Sequence, residues 1–165
     1  MEWSLTTKRL VIRRFVAADL DAFHGYRNDP DVARYQGWTV PYPRERARAL
    51  VDEMAAAELF ARGAWTQLAV ERQDLGGLIG DVGVRVEPDE PTVELGVTFS
   101  VAAQRVGYAT EALGAIVEHL LGVHKFERVI AVAHEDNGRV HRLLERVGLA
   151  TVARDGDELI FSRMR

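Results

Sequence analysis

Residues 93 to 101 alternate without a break. Val93, Leu95, Val97, Phe99 and Val101 are apolar, and Glu94, Gly96, Thr98 and Ser100 stand between them. A period of two puts the first set on one face of a strand and the second on the other. The next two segments narrow the fold further. Residues 107–124 carry Ala109, Ala112, Leu113, Ile116, Val117, Leu120 and Leu121, a broad apolar stripe at helical spacing. Residues 128–133 are a short, almost unbroken apolar run, which suits a strand covered on both faces. Strand, helix and strand in this order make a βαβ unit with parallel strands and a right-handed crossover.

The rest of the chain fits around that unit. Residues 10–15 read as a first strand, and 17–28 as a helix that stops near Asn28-Asp29-Pro30. A short helix over 31–35 leads to a loop with Trp38, Pro41, Tyr42 and Pro43. Pro43 opens a helix to about residue 62, with Leu50, Met54 and Ala57 on one face. Strands come next at 65–71 and 78–86, turned at Gly76-Gly77. After residue 133, Asn137 caps a helix that Gly148 stops, and strands at 150–153 and 158–163 flank Asp155-Gly156-Asp157. The predicted order is βααβββαβαββ. The class is mixed α/β, a mostly antiparallel central sheet with one parallel pair, in a single domain over 1–165.

Composition bounds the chemistry. The 165 residues are 47% hydrophobic and 28% charged, enough to bury a core. A net charge of −4 gives no global field for nucleic acid. The absence of cysteine excludes disulfides, thiolate metal sites and a cysteine nucleophile, and fits a cytoplasmic location. The five histidines lack metal-ligand spacing, so no metal is expected. No signal peptide or membrane span is expected either.

One turn carries candidate chemistry. Gln104-Arg105-Val106-Gly107-Tyr108-Ala109 lies between the alternating strand and the apolar helix. Small residues at 107 and 109 let a ligand approach the backbone. The free N–H groups of a helix N-terminus suit a phosphate, and Arg105 adds charge. Taken alone, the pattern is equally a plain strand-to-helix turn.

Its surroundings resemble the GNAT superfamily of N-acetyltransferases. The turn has that family's Q/R-x-x-G-x-G/A form in the family's place. Asn137-Gly138-Arg139-Val140-His141-Arg142-Leu143-Leu144-Glu145-Arg146-Val147-Gly148-Leu149 is similar to its N-x-x-S-x-x-L-L-E-x-x-G-F segment. The opening Leu5-Thr6-Thr7-Lys8-Arg9-Leu10-Val11-Ile12-Arg13 resembles the ribosomal-protein-modifying, Rim-like branch, as do Gly80-Asp81-Val82-Gly83 and Val93-Glu94-Leu95-Gly96. The resemblance implies acetyl-CoA as donor and an amine as acceptor. It implies a diphosphate held by the backbone of Val106, Gly107, Tyr108, Ala109 and Thr110, with Gln104 and Arg105 beside it. Pantetheine would run along Phe99, Ser100 and Val101, where the parallel strands splay. The N–H of Val101 would polarise the thioester carbonyl. Asn137 would hydrogen-bond pantetheine or the adjacent loop besides capping its helix.

An amine must lose a proton to attack a thioester. Glu94, on the polar face of its strand, is the candidate base, and is equally readable as a salt-bridged strand residue. Tyr35, Trp38 and Tyr42 are candidate walls for the acceptor, or simple packing of a long loop. Many relatives carry a tyrosine at the place of Leu144, and others a serine at that of Val140, to protonate the leaving thiolate. Here both are apolar. Two readings result: an N-acetyltransferase acting on a protein N-terminus or a small amine, and a CoA-binding module without turnover. Homodimerisation is common in the family.

Overall fold

The computed structural model describes residues 2–165. Among the described residues eight strands form one sheet: β1 (Ser4–Thr6), β2 (Leu10–Arg13), β3 (Trp65–Arg72), β4 (Leu78–Val86), β5 (Thr92–Phe99), β6 (Arg128–His134), β7 (Ala150–Asp155) and β8 (Glu158–Met164). Their spatial order is β1-β2-β3-β4-β5-β6-β8-β7. Every neighbouring pair is antiparallel except β5 and β6, which run parallel as the βαβ unit requires.

The sheet divides the core in two. On one face α4 (Tyr108–Gly122) and α5 (Gly138–Arg146) cover the middle strands. The buried stripe of α4 (Ala112, Leu113, Ile116, Val117, Leu120, Leu121) meets Val82, Val84, Val93, Leu95 and Val129. Burying each such valine, leucine or isoleucine contributes about 1.5–3 kcal/mol, so this face holds most of the stabilising apolar contact. On the other face α1 (Leu20–Arg27) and α3 (Arg44–Ala56) bury Phe23, Tyr26, Val51 and Met54 against Phe15, Ala69 and Leu78. A one-turn α2 (Pro30–Ala33) starts at Asp29, whose side chain accepts from the N–H of Asp31.

Three features depart most from the sequence reading. β1 has no counterpart there, because three residues are too few to show a period. The helix expected over 43–62 ends at Ala56, and the segment beyond turns back until Arg62 makes an isolated bridge to Val86. β6 is covered on one face only. Val129, Ala131 and Ala133 are buried under α4, whereas Val132 is exposed, because the helices of the other face pack over β3 and β4.

Candidate functional site

The site begins where the parallel pair comes apart. β5 and β6 are in register from Thr92↔Arg128 to Leu95↔Ala131 and separate beyond. Ser100 N donates to Ile79 O at 3.0 Å and Glu87 N to Thr92 O at 2.9 Å, so even-numbered residues of β5 bond to β4. Val97 and Phe99, being odd, turn their backbone groups into the opening. Both carbonyls are taken by side chains. Gln36 Nε2 donates to Val97 O at 3.2 Å, and Gln104 Nε2 donates to Phe99 O at 2.9 Å. Their N–H groups face the gap.

A 3-10 turn (Val101–Ala103) leads out of β5 to the start of α4. Gly107 is the N-cap, at φ +86°, a conformation that costs glycine nothing. Among the described residues no side chain caps this end, so the first N–H groups of α4 stay available to an anion. Arg105 also has positive φ, +66°. Arg9 grips the turn from β2's end of the molecule. Its Nη1 donates to Val106 O at 2.9 Å, and its Nε donates to Glu111 at 2.6 Å.

The opening and the helix end share one cleft of about 1140 Å³. Its walls include Val97, Thr98, Phe99, Val101, Gln104, Arg105, Gly107, Ala109, Thr110 and Asn137. Arg34, Arg139, Arg142 and Arg146 add positive charge beside Arg105. Arg139 also donates to the side-chain oxygen of Gln104. Tyr35 and Gln36 span the opening. The Tyr35 ring stacks on His134 at 5.3 Å, and its hydroxyl donates to Asp136 O at 3.4 Å. Asp31 and Asp136 bring acid to this rim.

Other sequence candidates stand elsewhere. Ser100, Val106 and Tyr108 do not line the cleft; the Tyr108 ring lies under the Arg9 guanidinium at 4.6 Å. Val101 lies past the end of β5, so within the strand the gap-facing N–H groups are those of Val97 and Phe99. Glu94 sits in the paired part of β5, outside the cleft, with Oε2 3.0 Å from Arg85 Nη2. Tyr42 is only 3% exposed, and Trp38 donates its Nε1–H to Arg27 O at 2.9 Å. Both rings pack on the buried Arg27 guanidinium, with Trp38 at 3.9 Å, and neither reaches the cleft. The demand of a buried guanidinium for aromatic faces accounts for their place. Of the three aromatic candidates only Tyr35 lines the cleft. Asn137 caps α5, accepting from Val140 N at 3.4 Å. Val140 lines the cleft, whereas Leu144 is 2% exposed in the core.

Sequence reasoning missed Gln36, Arg34 and the α5 arginines. The spacing of 139, 142 and 146 along one helix face was the available signal. It also passed over Asp81, fully buried next to the cleft wall as the register partner of Thr98. Burial pushes this carboxyl from its ordinary 3.8 up to about 6, against the charge of Arg27 and the hydrogen bond from Tyr26. Glu111 moves the other way. Burial raises it, but bonds from Thr7 and Arg9 outweigh that and hold it below its ordinary value.

Comparison with known proteins agrees with this geometry. A family model described as an acetyltransferase (GNAT) domain matches residues 9–150. YnaD of Bacillus subtilis (strain 168), described as an uncharacterized N-acetyltransferase, is 32% identical over 147 residues, covering 88% of this chain and 81% of that protein. A GNAT-family acetyltransferase from Bacillus anthracis shares the fold at a TM-score of 0.83, with 24% identity and 98% of each chain covered. So does a spermidine N-acetyltransferase from Vibrio cholerae, solved with CoA and spermine, at a TM-score of 0.80, 15% identity and 96% of each chain. With the family model spanning most of its length and that Bacillus subtilis relative covering most of it, the chain belongs to the GNAT acetyltransferase family.

Proposed function

We propose that the protein transfers an acetyl group from acetyl-CoA to a primary amine, by direct attack within a ternary complex. One observation carries the reading. Unpaired N–H groups in a splayed strand pair lead without interruption to an uncapped helix N-terminus ringed by arginines. Pantetheine is an amide chain that needs backbone partners, and a diphosphate needs N–H groups and positive charge. The cleft offers both in the order in which CoA presents them. Arg139, Arg142 and Arg146 suit the phosphates of the nucleotide end.

The chemistry is set by the same placement. The neutral amine attacks the thioester carbonyl carbon, and its oxygen gathers negative charge. The Val97 N–H, aimed into the gap, stabilises that oxygen. The tetrahedral species collapses, the carbon–sulfur bond breaks, and the proton shed by nitrogen ends on sulfur. Amide and free CoA result. Glu94 is about 10 Å along the strand from Val97 at the usual rise of a strand, and Arg85 engages it. Water therefore carries the proton, and rate comes mainly from positioning and the backbone donor. The acidic rim at Asp31 and Asp136 suits a cationic acceptor, either the N-terminus of a peptide or a small amine. The relative named as an N-acetyltransferase supports amine acceptors as a class.

A second reading has one observation of its own. Val140 and Leu144 offer no hydroxyl to the departing thiolate. A CoA-binding module without turnover would need none. Calorimetry with CoA and with 3′-dephospho-CoA tests the binding common to both readings. CoA should bind, and removing the 3′-phosphate should weaken it severalfold; no binding of either removes both.

A further inference from the structure

The helix that receives the diphosphate carries an acid in its first turn, Glu111. An acid there suits the helix dipole. It also sits within a turn of the backbone N–H groups that a diphosphate would occupy, and two anions at one helix end repel. The structure answers this with Arg9. Its Nε lies 2.6 Å from Glu111 Oε2, while Thr7 Oγ1 and the Arg9 N–H each donate to Oε1 at 2.7 Å. The carboxylate is thereby saturated by the turn between β1 and β2. Glu111 stays outside the cleft that its neighbour Thr110 lines.

The same guanidinium touches the loop itself. Nη1 donates to Val106 O at 2.9 Å, the ring of Tyr108 lies 4.6 Å beneath it, and Nη2 is 3.2 Å from where a Cβ on Gly107 would stand. One side chain thus bonds Val106, lies over Tyr108, fills the space beside Gly107 where a side chain would stand, and pairs with the acid one helical turn on. Exposed ion pairs contribute little to stability, and Arg9 is 41% exposed. Its position speaks for a role in binding instead.

We propose that Arg9 and Glu111 form a neutral brace behind the diphosphate loop, in which Arg9 cancels the Glu111 charge and holds Val106 and Gly107 in the CoA-ready shape. Arg9 is a positioning residue here. The segment Thr7-Lys8-Arg9, by its sequence only the approach to a strand, becomes part of the CoA site. The proposal rests on the reading that the loop of Gln104 to Thr110 holds the CoA diphosphate.

The test is CoA titration by calorimetry together with steady-state kinetics on the whole chain. Arg9→Gln should raise the CoA Kd and the acetyl-CoA KM by about tenfold, the size of one charge-assisted contact. Its kcat and acceptor KM should stay at wild-type values. Glu111→Gln should cost less than about threefold, and the double substitution should recover most of the Arg9→Gln loss, because the unpaired carboxylate is gone. The Arg9→Gln deficit should also shrink as salt rises. Arg9→Lys, which keeps the charge, should lie nearer wild type, and Arg9→Met, which removes the charge and keeps the length of the stem, serves in place of Arg9→Gln if the latter does not fold. A double variant as weak as Arg9→Gln overturns the neutralising role. An Arg9→Gln protein that binds CoA as wild type does overturns the brace while leaving the functional reading intact. A wild-type protein that binds no CoA overturns both.

Discussion

Gly107 stands at φ +86° with the Arg9 guanidinium 3.2 Å from the space a Cβ would fill. Gly107→Glu adds bulk and negative charge where a diphosphate must meet the backbone. CoA binding should fall below detection by calorimetry, with the folded state weakened by about 1–2 kcal/mol from the left-handed conformation. Wild-type affinity in that variant would mean that the loop does not hold CoA. Glu94 gives a contrasting expectation. Its carboxylate pairs with Arg85 outside the cleft, so Glu94→Gln should keep kcat within about threefold of wild type. A general base is worth roughly 10²–10⁴ in rate, so a loss of that size in a pH–rate profile would return Glu94 to the mechanism. Asp81 predicts a pH effect on stability. Its folded value, about 6, lies above the ordinary 3.8, so the fold keeps this proton longer than the unfolded chain does. The contribution is present in full below pH 3.8 and is lost as pH rises to about 6. Asp81→Asn should therefore flatten the decline in unfolding free energy across that window by about 3 kcal/mol, read from urea melts at several pH values. Equal slopes would mean Asp81 titrates normally.

At the scale of elements, what was legible in the chain was what local pattern writes. The alternation of 93–101, the stripe of α4 and the glycine turn between them needed no tertiary information. Trp38 and Tyr42 show the limit. Nothing local says that Arg27 is buried and draws both rings away from the cleft. Gln36 shows it too, since its bond to Val97 O joins residues 61 apart in the chain. The α5 cap was legible and gives a further expectation. Asn137 accepts from Val140 N, and Asn137→Ala should cost about 1 kcal/mol of stability, measured as a lowered urea midpoint. If α5 also sets Arg139 and Arg142 on the cleft wall, CoA affinity falls in the same variant.

For the molecule as a whole, order and class could be read, and the open half of one sheet face could not. The apolar run of β6 suggested cover on both sides, yet cover depends on how far α1 and α3 reach across the sheet. The splay of β5 from β6, which the family resemblance implies and no local pattern writes, is a property of the assembled sheet, and the proposed activity turns on it. The direct test is to incubate the protein with acetyl-CoA and a panel of peptides and small amines, following free thiol and acetylated product together. An acetyltransferase should release thiol far above the acceptor-free rate with at least one amine, matched one for one by amide. Thiol release at the acceptor-free rate across the panel, from a protein that binds CoA, would contradict transfer and leave a binding module.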